Sequence, residues 1–289
     1  MKNSLFTGLC TALVTPFLGD RINYPMMERL LARQIEAGIT TVVLAGTTGE
    51  APTLTDGEKL ELFHRAKEFT GDACRIIAGT GSNDTSHAVR LSMAAEDSGA
   101  DALLIVSPYY NKSNTEGLIA HFTTIAQHVS LPIIVYNVPS RSGLDIPVPV
   151  YKALSNLPNI AGVKEASASV TKITQIRNAC PHDFSIWSGN DDLAVPVISL
   201  GGQGLISVVS NIKPMETAAM VNAALDGDFD TASALQVKLQ PLCELLFSEV
   251  NPIPVKAAMK YIGYDCGNCR LPLGKLSDAN REKMKHFFA

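Results

Sequence analysis

The sequence predicts a (β/α)₈ barrel, also called a TIM barrel, with a helical extension at its C-terminal end. Short apolar runs of strand length alternate with longer amphipathic stretches through the first 225 of the 289 residues, as in folds with a parallel sheet. The eight candidate strands are residues 9–14, 41–44, 75–79, 102–106, 133–137, 160–165, 184–188 and 204–207. Eight strand–helix units favour a closed barrel. The alternative is a doubly wound open sheet, but its first strand would lead into a glycine-rich phosphate-binding turn, where this chain has Thr15-Pro16-Phe17.

The helices between the strands are marked by their spacing and their caps. Two apolar sets recur at helical intervals, namely Met27, Leu30, Leu31 and Ile35, and Leu118, Phe122, Ile125 and Val129. Thr55 stands three residues before Glu58, which is the spacing of a capping box. Asp84 similarly precedes a helical run that reaches Ser98. The first two sets predict helices that each bury one face.

Strand patterns end near Asp226, so we divide the chain into a barrel at residues 1–225 and a three-helix extension at residues 226–289. The first helix of the extension is indicated by Leu235, Leu239, Leu242 and Leu246. Pro241 falls inside this pattern, where proline costs about 3 kcal/mol, so we expect a kink there. Residues 252–262 and 277–288 predict the other two helices.

Composition restricts the possible functions. A formal net charge of −4 gives no electrostatic basis for binding nucleic acid or an anionic membrane. No apolar stretch approaches the roughly 20 residues that span a bilayer. The N-terminal segment Met1–Gly8 lacks the apolar core of a signal peptide, so we expect a cytoplasmic protein. With 46% apolar residues, the chain is expected to bury a sizeable core.

The pair Cys266-x-x-Cys269 raises the possibility of zinc or redox chemistry. Zinc would need two further ligands at suitable spacing, and no second cysteine pair or nearby histidine supplies them. A redox pair is expected at a helix N-terminus, whereas this one follows a Gly263-Tyr264-Asp265 turn. We therefore expect neither function.

Lys164 is the most informative residue of the sequence. It lies near the end of the apolar run 160–165, so it is expected at the carboxyl end of a buried strand, where barrel enzymes place their active sites. Burial disfavours the ammonium form and leaves neutral amine that can attack a carbonyl carbon. The alternative is a structural lysine that neutralises Glu165 or caps the end of the strand.

Three other loops are expected at the same face. Gly46-Thr47-Thr48-Gly49-Glu50 offers hydroxyls and backbone amides for a carboxylate, or is merely a tight turn. Tyr136 could exchange a proton at the barrel mouth, or be a core tyrosine. Arg141 could bind a carboxylate through its planar guanidinium, or be a solvated loop charge. Together with Lys164, these residues predict an imine-forming enzyme acting on a small keto acid.

The loop after the fourth strand places Tyr109 beside Tyr110. Adjacent exposed tyrosines are more typical of a protein interface than of a catalytic site. Both roles are compatible if the site lies near a subunit boundary.

These motifs closely resemble the 4-hydroxy-tetrahydrodipicolinate synthase family, also called dihydrodipicolinate synthases, within the pyruvate-dependent Schiff-base lyases and aldolases. The resemblance runs from Phe6 to Pro272 and is carried by the segments 46–50, 136–141 and 163–165. It implies condensation of pyruvate with L-aspartate 4-semialdehyde, the first committed step of diaminopimelate and lysine biosynthesis. It also implies that no metal or organic cofactor is used.

The resemblance assigns roles to individual residues. Lys164 would form the Schiff base, and Thr48 would hold the pyruvate carboxylate. Thr47, Tyr136 and Tyr110 correspond to a proton relay in which Tyr110 comes from a neighbouring subunit. Further residues would bind substrate: Arg141 the semialdehyde's carboxylate, and Gly189 and Ile206 the pyruvate pocket.

Two alternative functions remain. N-acetylneuraminate lyases share the lysine and the tyrosine, but their loop usually reads Gly-Ser-Thr-Gly-Glu and they lack the arginine at position 141, so Thr47 and Arg141 favour the synthase. A non-catalytic barrel that binds a keto acid would be expected to have lost a relay group, yet all are present.

The family is usually a homotetramer built as a dimer of dimers, and a role for Tyr110 requires at least a dimer. Members inhibited by lysine place histidines and an acid in a cleft between subunits. Here those positions are Asp56, Lys59 and His87. We therefore expect weak or absent inhibition by lysine, with an inhibition constant not well below about 1 mM.

Overall fold

Eight parallel strands close into a barrel in the computed structural model, which describes residues 5–289. Met1–Ser4, half of the segment that we expected to carry no signal peptide, lie outside the described residues. The barrel strands are β1 (Gly8–Ala12), β4 (Thr41–Leu44), β5 (Arg75–Gly79), β6 (Ala102–Val106), β7 (Ile133–Asn137), β8 (Ile160–Glu165), β9 (Ser185–Ser188) and β10 (Gly204–Ser207). They follow one another in chain order, and β10 closes on β1. The predicted TIM barrel is confirmed.

The helices form the outer layer and the C-terminal extension. They are α1 (Tyr24–Glu36), α2 (Asp56–Thr70), α3 (Thr85–Asp97), α4 (Thr115–His128), α5 (Pro139–Ser142), α6 (Val148–Leu154), α7 (Val170–Ala179), α8 (Ala194–Ser199), α9 (Pro214–Leu225), α10 (Phe229–Leu246), α11 (Ile253–Tyr261) and α12 (Asp278–Phe288). Three short 3₁₀ turns lie at Ala51–Thr53, Asp191–Leu193 and Val209–Asn211. The predicted capping box at Thr55 and Glu58 and the Asp84 N-cap both form.

The observed strand bounds agree closely with the sequence. The first and seventh strands differ from the prediction only at their ends. A hairpin of β2 (Phe17–Leu18) and β3 (Arg21–Ile22) follows β1 and was not predicted, because two-residue strands carry no periodicity. Helix α10 continues through Pro241, and the kink expected there stays a prediction.

Two apolar clusters build the core. One lies between the strands and the helices. The other fills the barrel interior and includes Cys10, Ile134, Tyr136, Trp187 and Ile206. Phe6 stacks on the Trp187 ring, with centroids 4.8 Å apart and planes 15° apart. The interior is therefore packed with side chains, and barrels of this kind carry their sites at the C-terminal mouth.

An irregularity in β8 decides which of its side chains face the interior. Ile133 pairs with Ile160, but Ile134 pairs with Gly162, so Ala161 is an extra residue without a partner on β7. Such a bulge shifts the inward and outward alternation by one residue. Beyond it, Tyr136 and Lys164 are paired and share the inward face. Gly162 permits the close approach of β9, since a Cβ there would lie 2.0 Å from Ser185 O.

Among residues 5–289, no helix combines the length and the apolar character needed to cross a membrane. The same residues contain no group of three or more histidine, cysteine, aspartate or glutamate side chains placed to hold a metal ion. Burial raises the pKa of the Cys266 and Cys269 thiols to about 12, which leaves them almost entirely protonated at neutral pH.

Candidate active site

Lys164 is buried at the mouth end of β8, with 5% of its surface exposed. Its Nζ lies 4.5 Å from the centre of the Tyr136 ring on the neighbouring strand β7. Tyr136 is itself buried, and its pairing with Lys164 fixes the two side chains on the same face. The structure thus places a primary amine and a phenol side by side, away from bulk water.

The outward face of the same strand pair holds a polar network. Asn137 and Glu165, which follow Tyr136 and Lys164, are also paired, and Asn137 Nδ2 donates to Glu165 Oε1 at 2.8 Å. Tyr151 on α6 donates its hydroxyl to Glu165 Oε2 at 3.1 Å. Burial, followed by the nearby Glu165 carboxylate, raises the pKa of Tyr151, so this donor stays protonated. These partners satisfy the hydrogen bonding of Glu165. Glu165 forms no ion pair with Lys164, whereas a structural Lys164 that neutralises Glu165 would require one.

Gly189 lies directly against the Lys164 side chain. A Cβ at this position would lie 3.2 Å from Lys164 Cε and 2.6 Å from the Ala166 Cβ. The second distance is too short for any real carbon–carbon contact, so a side chain here must displace its neighbours. Gly189 follows β9, and its backbone N–H donates to Glu165 O at 2.8 Å.

We expect Gly189→Ala to lower kcat by about 100-fold, since a misplacement of about 1 Å at a reacting group has effects of that size. The measurement is steady-state turnover, with circular dichroism to verify folding. Gly57→Ala is the matched control, because a Cβ at Gly57 would meet nothing within 4 Å. Equal activities of Gly189→Ala and Gly57→Ala would show that a side chain at position 189 does not misplace Lys164.

The loop after β4 is held in a compact, strained form. Ala45 and Glu50, at its two ends, have left-handed φ values of +49° and +59°, which non-glycine residues rarely adopt. Glu50 N donates to Thr47 O at 3.1 Å, and Thr15 Oγ1 donates to Gly49 O at 2.7 Å. Within this loop Thr48 is buried and Thr47 is half-buried. The two hydroxyls therefore sit at the barrel mouth on a well-fixed backbone.

Glu50 anchors this loop to the C-terminal extension. Its Oε1 accepts from Lys256 Nζ at 2.8 Å, and its Oε2 accepts from the Arg270 backbone N–H at 2.9 Å. Both side chains of the Glu50–Lys256 pair are almost completely buried. Lys256 Nζ also lies 4.3 Å from the centre of the Phe17 ring. A buried charge pair with further hydrogen bonds holds the loop to α11.

A second link from the extension reaches Thr48 and Arg141. Asn251, which precedes α11, donates from Nδ2 to Thr48 Oγ1 at 2.9 Å. Its backbone oxygen accepts from Arg141 Nη2 at 3.3 Å. Thr48 and Arg141, predicted on separate loops, are thereby joined through one residue of the extension.

A cavity of about 280 Å³ opens at the barrel mouth. Of the predicted site residues, Thr47, Tyr136 and Arg141 line it. Lys164 and Thr48 are buried and are not part of its lining. The Arg141 side chain is exposed, so its guanidinium can turn toward a ligand.

Ile206 on β10 is fully buried in the barrel interior. The backbone that follows it is held by Asp191, whose carboxylate accepts from Ser207 Oγ at 2.5 Å and from the Val208 N–H at 3.0 Å. Burial raises the pKa of Asp191, and these hydrogen bonds oppose that shift. The turn after Ile206 is therefore fixed from outside the pocket.

Tyr110 does not meet the other predicted residues within the single chain. It is 92% exposed and has a left-handed φ of +69°. It does not line the cavity, whereas its neighbour Tyr109 does. An exposed tyrosine on a strained backbone is typical of a side chain that contacts another molecule.

Lys59 and His87 also line the cavity, and both contact Asp56, which does not line it. His87 Nε2 lies 2.8 Å from Asp56 Oδ2, and Lys59 Nζ lies 3.8 Å from Asp56 Oδ1. Burial lowers the pKa of Lys59, and Asp56 partly opposes this. The single carboxylate of this cluster is shared by two basic groups, which leaves little to attract a ligand ammonium. The weak inhibition by lysine stays a prediction.

Several structurally important residues were not identified from the sequence. Lys256 stands alone in the apolar stretch Ile253-Pro254-Val255-Lys256-Ala257-Ala258, and a lone lysine in such a stretch could have indicated a buried ion pair. Asn251 carries no comparable signal, since Asn-Pro is common in turns.

Comparisons with known proteins find relatives along nearly the whole chain. The Dihydrodipicolinate synthetase family model matches residues 5–288. The 4-hydroxy-tetrahydrodipicolinate synthase of Acetivibrio thermocellus is 44% identical over 285 residues, which cover 99% of this chain and 97% of the relative. The protein of the same name from Methanosarcina mazei is 47% identical over 282 residues, or 97% and 96% of the two chains. The crystal structure of the chloride-inhibited dihydrodipicolinate synthase from Acinetobacter baumannii complexed with pyruvate has a TM-score of 0.95 and 38% identity, with 97% of each chain covered.

Proposed function

The chain belongs to the dihydrodipicolinate synthetase family, and from this premise we propose that its barrel mouth condenses pyruvate with L-aspartate 4-semialdehyde. The product is 4-hydroxy-tetrahydrodipicolinate, and the reaction is a lyase step of diaminopimelate and lysine biosynthesis. The observation that carries the proposal is the buried Lys164 amine, 4.5 Å from the centre of the Tyr136 ring.

Lys164 Nζ adds to the keto carbon of pyruvate, and loss of water gives an imine. The imine withdraws electrons from the methyl group of pyruvate. The methyl group therefore loses a proton, and the imine becomes an enamine with a nucleophilic carbon. That carbon then attacks the aldehyde of the second substrate, whose oxygen takes up a proton. The amino group of the condensed substrate displaces Lys164, closes the ring and regenerates the free lysine. The hydroxyls of Tyr136 and Thr47 carry the proton released from the methyl group and deliver a proton to the aldehyde oxygen.

The remaining site residues bind the two substrates. Thr48 donates its hydroxyl to the pyruvate carboxylate, inside the loop fixed by Glu50. Arg141 binds the carboxylate of the semialdehyde from the exposed side of the cavity. Gly189 and Ile206 shape the pyruvate pocket, and the absence of a side chain at position 189 leaves room beside Lys164.

The test is borohydride reduction in the presence of pyruvate, followed by peptide mapping. Trapped mass on Lys164, together with formation of the cyclic product from both substrates, supports the proposal. Cleavage of sialic acid instead would indicate an N-acetylneuraminate lyase. Absence of any trapping would leave a barrel that only binds a keto acid.

We further propose that the protein works in the cytoplasm as a homotetramer, a dimer of dimers in which Tyr110 of one subunit completes the relay of its neighbour. The exposure of Tyr110 supports this arrangement.

Tyr110→Phe is expected to lower kcat by about 100-fold, since it removes one proton-transfer group and nothing else. Sedimentation velocity should give the same mass for the variant and the unsubstituted protein. Tyr261→Phe, at an exposed position on α11 away from the cavity lining, is the control. A monomer with full activity would overturn the relay role of Tyr110.

A further inference from the structure

Asn251 joins the two groups that would bind the carboxylates of the two substrates. Its side-chain Nδ2 is 2.9 Å from Thr48 Oγ1, and its backbone oxygen is 3.3 Å from Arg141 Nη2. The residue is 5% exposed and lies outside the barrel strands, at the start of α11. Thr48 and Arg141 therefore share one point of support in the C-terminal extension.

The direction of the hydrogen bond to Thr48 has a chemical consequence. An amide nitrogen can only donate, so Thr48 Oγ1 must accept from Asn251 Nδ2. The Thr48 hydroxyl proton is then free to be donated to another group. A carboxylate ligand needs such a donor, because an ionised carboxylate is an acceptor only. Asn251 thus gives Thr48 the polarity that binding a carboxylate requires.

The oxygen of the Asn251 carboxamide also favours a role of this residue at the site. Asn251 Oδ1 is buried and has no hydrogen-bond partner among residues 5–289. An unpaired buried acceptor lowers stability, and it is typical of a residue that serves a site more than the fold. The opposite amide orientation would place Oδ1 against Thr48 Oγ1 and draw the Thr48 proton away from a ligand.

We propose that Asn251 is a positioning residue, which orients the Thr48 hydroxyl toward the pyruvate carboxylate and supports Arg141 through its backbone. This inference rests on the proposed function. It makes the C-terminal extension a part of the substrate site, although the reacting groups lie on the barrel.

The decisive variant is Asn251→Asp, which keeps the shape of the side chain but replaces the donor with a charged acceptor. The Thr48 proton is then drawn to the new carboxylate, and the negative charge repels pyruvate. We expect the pyruvate concentration for half-maximal borohydride trapping on Lys164 to rise about 10- to 100-fold. The trapped mass at saturating pyruvate stays the same. The KM for the aldehyde substrate changes less, since the backbone contact with Arg141 remains.

Two controls separate positioning from a general loss of structure. Asn159→Asp makes the same change at a part-buried carboxamide, which donates to Ala126 O and Val129 O beside the opposite end of β8. It should leave half-maximal trapping unchanged. Thr48→Val removes the hydroxyl through which Asn251 acts. Adding Asn251→Ala to Thr48→Val should therefore cause little further change, although Asn251→Ala alone causes about a tenfold rise.

The outcomes for Asn251 and for the proposed function are distinguishable. No trapping in the unsubstituted protein would overturn the Schiff-base function itself. Normal trapping there, with unchanged half-maximal pyruvate in both folded Asn251 variants, would overturn only the positioning role. If Asn251→Asp fails to fold, the uncharged Asn251→Ala variant and its pairing with Thr48→Val give the same decision.

Discussion

Replacing Lys164 with arginine is expected to lower kcat by at least about 1,000-fold, because it removes the only group proposed to react with the keto carbon. Arginine keeps much of the length of the side chain, but its guanidinium does not lose a proton in proteins and cannot form the imine. The long side chain would still fill the buried position beside Tyr136. The loss therefore reports on nucleophilic chemistry more than on packing.

The measurement combines steady-state turnover with borohydride trapping in pyruvate. The Lys164→Arg variant should show no trapped mass, even at high pyruvate. Lys152→Arg, at an exposed position on α6, should retain both activity and trapping. Retention of more than about a tenth of the activity by Lys164→Arg would rule out the lysine imine as the route.

The second large effect is expected on stability. Glu50→Gln leaves the Lys256 ammonium buried without a counter-charge, and breaking a buried ion pair in this way costs about 3–5 kcal/mol. For a chain of this size, that corresponds to a fall in Tm of roughly 10 °C. The substitution also releases the support of the strained backbone at position 50, where φ is +59°. We therefore expect loss of stability together with loosening of the Thr47–Thr48 loop.

Denaturant unfolding and thermal melting would measure this effect. The double variant Glu50→Gln/Lys256→Met removes both charges and should recover a large part of the stability. Glu61→Gln is the exposed control, because its partner Arg65 is at the surface and the pair should contribute little. A Glu50→Gln protein as stable as Glu61→Gln would show that the buried pair does not hold the loop.

The two effects report on different tasks at the same barrel mouth. Lys164 carries the proposed chemistry on a strand of the barrel, whereas Glu50 fixes the loop that presents Thr48. Asn251 and Lys256 both connect this loop to α11 and the segment before it. Substitutions in the extension should therefore alter substrate binding, although the extension carries none of the proposed reacting groups.

The barrel could be predicted from the sequence, because strand and helix periodicities are local properties of a few neighbouring residues. Six of the eight predicted strands have the observed bounds. It also indicated Lys164, Tyr136 and Thr48, since a reactive residue type at the end of a buried strand is visible in one dimension. The same rule placed Arg141 and the loop of Tyr109 and Tyr110 at this face, whereas the roles of Arg141 and Tyr110 follow from the resemblance to the family.

The contacts that hold these residues in place could not be predicted from the sequence. The bulge at Ala161 sets the inward direction of Lys164, yet it depends on pairing between two strands and leaves no trace in either alone. The contacts of Asn251 with Thr48 and of Glu50 with Lys256 join positions more than 200 residues apart. The proposed role of Tyr110 depends in the same way on a neighbouring subunit, since Tyr110 is exposed in the single chain. Contacts between distant segments depend on how the whole chain packs, and no local pattern encodes them.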